Sequence, residues 1–197
     1  LNNKGFLVAD MSSDILSRPL NLNEFGLIYA GAQKNIGIAG VTLVILREDI
    51  IQSSHQSLPS MLDYKIHIKK DSMFNTPPVF CVYAVNETLK WINKLGGLES
   101  IESVNNAKAE LLYNEIDENI LFRCPVSYED RSNMNIVFTF SDQGKNDNDF
   151  LDFCLKRGLM TLKGDRSVGG FRASIYNAMP IQGVKELIKA MREYSKK

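Results

Sequence analysis

The sequence predicts an α/β protein built in two parts, and three observations carry that reading. Short apolar runs at 6–9, 26–30 and 41–46 crowd the start of the chain with little polar alternation, the pattern of strands covered on both faces. After residue 78, apolar residues recur at three- and four-residue steps, the pattern of helices that bury one face. Paired glycines, Gly96-Gly97, separate the first of these helices from the rest. The expected domains are therefore 1–96, mainly a buried sheet, and 97–197, a small α/β or α+β domain.

Taken in order, the run at 6–9 ends in Asp10 and reads as a buried parallel strand. Residues 11–19, with Ser12, Ser13, Asp14 and Ser17, read as a polar turn region. Residues 26–30 read as a second buried strand, and 41–46 carry the strongest β signal. Gly31, Gly37 and Gly40 punctuate the loop between these two strands. Residues 47–76 read mostly as connection. Asn75-Thr76-Pro77-Pro78 breaks the chain and opens a helix in which Val82, Val85, Leu89 and Ile92 share a face.

The second part reads α-β-β-α-β-β-α. A helix over 100–116 turns Ile101, Val104, Leu111 and Leu112 inward, and strands follow at 121–124 and 135–140. A helix over 148–157 closes at Gly158, short strands at 160–162 and 171–175 flank a loop, and a last helix spans 181–194 with Val184, Leu187, Ile188 and Met191 inward.

Composition narrows the function classes. The 23 Lys plus Arg balance 23 Asp plus Glu, so no charge footprint for nucleic acid is present. No apolar run approaches the roughly 20 residues of a membrane span, and no targeting segment is visible. Three cysteines, Cys81, Cys124 and Cys154, are widely spaced and form no CxxC pair, which fits reduced thiols in a cytoplasmic protein. His55 and His67 alone make no metal site, so none is expected. The chain opens at Leu1 without methionine and enters a strand within about five residues, the appearance of a chain that begins inside a fold.

The chemistry centres on Tyr29-Ala-Gly-Ala-Gln-Lys-Asn35, a small-residue loop between two strands that holds a single lysine, Lys34. On residue type alone Lys34 is one more surface lysine. Placed at a sheet edge, its amine can form a Schiff base with a carbonyl cofactor, while Asp10 at the end of the first strand holds a protonated pyridine nitrogen. Pyridoxal phosphate chemistry needs that pair. Asp10 reads equally as a turn cap. Arg166 and Arg172, with glycines between them, suit forked recognition of an anionic substrate, or are two solvated arginines on a hairpin. Asn75 and Thr76 offer donors for a phosphate, or simply cap a helix.

Four segments together resemble the phosphoserine aminotransferases: Asp10-Met-Ser-Ser-Asp-Ile-Leu-Ser-Arg-Pro19, Ile28-Tyr-Ala-Gly-Ala-Gln-Lys-Asn-Ile-Gly37, Ser72-Met-Phe-Asn-Thr-Pro-Pro78 and Gly169-Gly-Phe-Arg-Ala-Ser-Ile-Tyr-Asn-Ala-Met-Pro180. The resemblance covers nearly the whole chain. It implies the C-terminal part of a class V, fold-type-I, pyridoxal-phosphate-dependent aminotransferase: the end of a large domain with a mainly parallel sheet, then the small C-terminal domain. The implied reaction exchanges an amino group between phosphoserine and 2-oxoglutarate, giving 3-phosphohydroxypyruvate and glutamate, in serine and, in many bacteria, pyridoxine biosynthesis.

Residue by residue, the resemblance gives Lys34 the Schiff-base role and Asp10 the pyridine-nitrogen role. Gln33 becomes a cofactor contact. Asn75 and Thr76 reach the cofactor phosphate of a neighbouring subunit, which implies a homodimer with shared sites. Arg172 holds the substrate α-carboxylate, and Arg166 the distal phosphate or carboxylate. The family often carries His-Arg where this chain has Asp165-Arg166, and an acid there weakens the local positive potential. The family's chains also run to nearly twice this length, so little or no activity is expected of this chain alone. Two other readings stand beside this one. Another class V transaminase would keep the cofactor and change the substrate. A cofactor-free fragment would act only in folding or assembly.

Overall fold

The computed structural model describes residues 5–53, 57–142, 144–165 and 169–196. The chain divides into two units, Leu1–Gly97 and Leu98–Lys197.

The first unit holds a three-stranded sheet in the order β1 (Val8–Asp10), β2 (Leu27–Gly31), β3 (Thr42–Leu46). β1 runs parallel to β2 and pairs Asp10 with Tyr29, whereas β3 runs antiparallel to β2 and pairs Gly31 with Thr42. The expected burial on both faces is not what these strands show. Only the face of β2 carrying Ile28 and Ala30 is buried, against Met11, Ile15, Ala32 and Ile36. Tyr29 points to the open face, and Val8 is 50 % exposed. β3, the strongest β signal, is a sheet edge and buries none of its residues fully. β-propensity measures fit to a pleated surface and does not measure coverage.

The stretch 47–76 is more structured than its polarity suggests. It contains two short helices, α1 (Glu48–Ser53) and α2 (Tyr64–Lys69), the latter capped by the Asp63 carboxylate on the Lys65 N–H. Helix α3 (Val79–Lys94) starts after Pro78, as the prolines require, and ends before Gly96, whose φ of 101° only glycine adopts freely. On α3, Ile92 is buried and Val85 packs on the sheet core, but Val82 and Leu89 are exposed.

The second unit opens with α4 (Gly97–Glu118), followed by β4 (Phe122–Arg123), β5 (Asn135–Phe140), α5 (Asp147–Leu155), β6 (Phe171–Ser174) and α6 (Ile181–Tyr194). Its three strands form an antiparallel sheet in the order β4-β5-β6. The strand expected at 160–162 is absent. Thr161, in the middle of that stretch, has a left-handed φ of 60°, and the chain beside it meets β6 through an isolated bridge between Lys163 and Phe171 and an Arg172 N–H bond to the Leu162 carbonyl. Five phenylalanines, Phe122, Phe138, Phe140, Phe150 and Phe171, fill the centre with ring centroids 4.9–6.4 Å apart. On α6 all four expected residues are buried.

Helix α4 departs from its expected inward face. Ile101 and Leu112 are buried, but Val104 and Leu111 are 50 % and 37 % exposed. At about 100° per residue, positions 101, 105, 108, 112 and 116 form one stripe, with 104 and 111 on its flank. Two polar residues, Asn105 and Lys108, occupy that stripe instead. The Lys108 side chain is fully buried, and its ammonium donates to the carbonyls of Ile175, Tyr176 and Met179 at 2.8–3.1 Å. It thereby ties α4 to the turn that follows β6. No helix among the described residues is long and apolar enough to cross a membrane.

Candidate active site

The loop 31–37 is folded by its own backbone before any side chain is considered. The Ala32 N–H bonds the Val41 carbonyl, and the Gly37 N–H bonds the Ala32 carbonyl at 2.7 Å. Asn35, 4 % exposed, then fastens the loop to the turn after β1 by donating to the carbonyls of Ser13 and Ile15. A buried amide that satisfies two carbonyls is a specific lock, because an unpaired carbonyl there would cost about 1–3 kcal/mol. The lock brings residues 20 positions apart into one cluster.

Within that cluster the Lys34 amine donates to the Ser13 hydroxyl at 2.5 Å. Lys34 is half-buried, and its charge is near enough to act on Asp10. The Asp10 carboxylate accepts two hydrogen bonds on the same oxygen, Oδ1, from the Ser12 N–H at 2.9 Å and the Ser12 hydroxyl at 2.6 Å. The Ser12 hydroxyl accepts in turn from the Gly31 N–H at 3.0 Å. These bonds hold the Asp10 carboxyl below its ordinary range. The Ser12 hydroxyl contributes most and the Ser12 backbone next, with smaller help from the Tyr29 hydroxyl and the Lys34 charge. The Asp10 charge pushes the neighbouring Tyr29 hydroxyl upward.

The arrangement joins one amine able to attack a carbonyl and one carboxylate kept ionised at neutral pH, on adjoining loop and strand ends. It fits the two demands of a pyridoxal cofactor that these residues would meet: a covalent anchor, and a negative charge for a protonated ring nitrogen. Gln33 folds its amide back over Gly31, where a Cβ would lie 2.5 Å from the Gln33 Oε1. Gln33 is exposed, so a side chain at position 31 would displace that amide from its place over the strand end.

The remaining expected site residues belong to other elements. Asn75 and Thr76 are exposed just ahead of α3, and the Asn75 amide bonds the Thr76 carbonyl. Arg172 belongs to the second unit, exposed on β6 opposite Val137. Arg166 lies outside the described residues. Ser12 and Ser13, which make the closest polar contacts to Asp10 and Lys34, read in the sequence only as turn residues. Their signal is the pair of hydroxyls two and three residues after a strand-end acid. Among the described residues, no group of three or more His, Cys, Asp or Glu side chains could hold a metal.

Comparison with known proteins gives the chain a family. Residues 2–187 match the family described as aminotransferase class-V. The chain is 54 % identical over 191 residues to the phosphoserine aminotransferase of Azobacteroides pseudotrichonymphae, covering 96 % of this chain and 53 % of that protein. Among solved structures, the phosphoserine aminotransferase from Bacillus circulans subsp. alkalophilus superposes with a TM-score of 0.93 at 47 % identity, over 99 % of this chain and 54 % of that one. A phosphoserine aminotransferase from Trichomonas vaginalis, solved with PLP bound, gives a TM-score of 0.90 at 43 % identity, over 96 % of this chain and 54 % of that one. The chain thus spans about half the length of the relatives it matches, and its fold is that of the corresponding part of the fold-type-I transferases.

Proposed function

This chain belongs to the class-V aminotransferases, and on that premise we propose that it is the C-terminal portion of a phosphoserine aminotransferase. The proposed reaction moves an amino group from glutamate to 3-phosphohydroxypyruvate, giving phosphoserine and 2-oxoglutarate, for serine and also pyridoxine biosynthesis in the cytoplasm. The observation that carries the reading is the cluster of Lys34, bonded to Ser13, with the ionised Asp10.

Pyridoxal 5′-phosphate, when bound, supplies an electron-accepting ring that lets the substrate Cα lose its proton. Each residue's part follows from its chemistry. Lys34 Nζ would hold the cofactor covalently and, once released, would take the substrate Cα proton and deliver it to the carbon that had carried the cofactor's aldehyde. Asp10 would balance the ring nitrogen's positive charge, and the Ser12 bonds that hold its carboxyl below the ordinary range favour the charged form that this needs. Gln33, lying over Gly31, contributes neutral hydrogen-bonding groups beside Lys34. Arg172 and Arg166 bind the two anionic ends of the substrate by charge-assisted bonds. The 1–96 part is the end of the cofactor-binding domain and 97–197 the small domain.

Asn75 and Thr76 serve the cofactor phosphate of a second subunit, so the working enzyme is a homodimer with shared sites. Their exposure in a single copy supports this assignment.

The test is complementation. The chain is purified alone and with a polypeptide covering the remaining length of a relative, and glutamate-dependent formation of phosphoserine is measured. Activity should be little or none alone and should return in the mixture. No return, with circular dichroism showing both pieces folded, would refute the proposal.

A further inference from the structure

Ser12 has no part in the chemistry proposed above, yet it links the two strands that carry the site. Its N–H and its hydroxyl both donate to Asp10 Oδ1, at 2.9 and 2.6 Å. Its hydroxyl accepts from the N–H of Gly31, the last residue of β2, at 3.0 Å. A hydroxyl has one proton and two lone pairs, so a proton given to Asp10 and a lone pair taken by Gly31 fix its rotation.

An ordinary strand-end turn needs only the first of these bonds, from the N–H two residues on to the aspartate side chain. The hydroxyl bond and the contact to Gly31, 19 residues away in sequence, go beyond what a turn requires.

We infer that Ser12 is a positioning residue for Asp10: by occupying Oδ1 and anchoring it to the end of β2, it fixes the carboxylate's orientation and leaves Oδ2 as the oxygen that meets a ring N–H. The inference rests on the reading of Asp10 as the partner of a pyridine nitrogen. The Ser12 hydroxyl is also the largest contribution holding the Asp10 carboxyl below its ordinary range. The same bond therefore sets both the direction and the ionisation of the acid. A carboxylate free to rotate would lose part of its interaction with the ring to that rotation, since pre-ordering a group lowers the cost of binding.

The experiment uses this chain with Ser12→Ala and Ser12→Thr. Without cofactor, the Asp10 side-chain carbon resonance is followed against pH. The midpoint should move upward in Ser12→Ala and return toward the original value in Ser12→Thr, which keeps the hydroxyl. With pyridoxal phosphate, the covalent adduct at Lys34 should form in all three chains and dissociate faster on dilution in Ser12→Ala only. Amide signals of 8–10 and 27–31 report whether the strand pair is intact. An unmoved Asp10 midpoint in a folded Ser12→Ala, or a Ser12→Thr that does not restore it, overturns the Ser12 assignment alone. A Lys34 left unmodified in the unchanged chain overturns the cofactor reading, and with it the ligand given to Oδ2.

Discussion

Lys34 donates its amine proton to the Ser13 hydroxyl at 2.5 Å, and the carbonyl of the same serine accepts from the buried Asn35 amide. One residue of the turn after β1 thus holds both the tip of Lys34 and the loop on which it rides. The Ser13 hydroxyl docks the amine. Removing the hydroxyl should free it. Ser13→Ala should raise the rate at which Lys34 is acetylated by dilute acetic anhydride, relative to the other lysines, and Ser13→Thr should not. Peptide mass spectrometry after partial labelling reads the ratio. Equal labelling of Lys34 in the unchanged chain and in Ser13→Ala would show that the bond does not hold the amine in solution.

Asn35 is the second anchor. Replacing it by Ala leaves two carbonyls short of a donor in the site, at a cost of about 1–3 kcal/mol. Asn35→Ala should lower the denaturant midpoint of the first unit. Asn35→Asp should do no better, because an ionised carboxylate has no proton to give. Equilibrium unfolding in urea, followed by the amide signals of β2, checks both.

How much of this was legible in the sequence depends on how local each feature is. Strand β5 and helix α6 fall where alternation and three-to-four periodicity place them, because each pattern is strong over its whole length. The helices α1 and α2 were not legible, since six residues are too few for a period to declare itself. Exposure of β1 and β3 was hidden because an apolar run says that a strand suits coverage and does not say what covers it. The pairing of Lys34 with Ser13 needed the fold: the two are 21 positions apart, and a serine after a strand looks like any turn residue. Lys108 was missed for a plainer reason. A hydropathy pattern counts lysine as surface, and nothing in the sequence announces three convergent carbonyls.

That lysine makes a pH prediction. Burial lowers the Lys108 ammonium from 10.5 to about 8. Between those values the unfolded chain keeps a proton that the folded chain has released, so stability rises with pH. The buried Cys154 thiol, pushed up from 9.0 to about 11, works the other way above pH 9, where the unfolded chain ionises first. The clean window is therefore pH 8 to 9. There the unchanged chain should gain stability relative to Lys108→Met. Urea midpoints at half-unit steps check it, and parallel curves for the two chains would contradict it.

The phenylalanine cluster sets the stability of the second unit. Phe150 is fully buried and meets the rings of Phe122, Phe138, Phe140, Phe171 and Tyr194. Phe150→Ala should cost about 3–5 kcal/mol, and Phe150→Leu less than that. Thermal unfolding followed by near-ultraviolet circular dichroism reads the loss. The Lys34 adduct supplies a second reading, since a change confined to the second unit should leave it able to form.

The most direct measurement is covalent capture at Lys34. The chain is mixed with pyridoxal phosphate, reduced with borohydride, digested, and the modified peptide is sequenced by mass spectrometry. The reading proposed above predicts a single dominant adduct on Lys34, with a visible band before reduction, and loss of both in Lys34→Ala with the fold intact. Modification scattered over the surface lysines, or an unchanged adduct in Lys34→Ala, would contradict it.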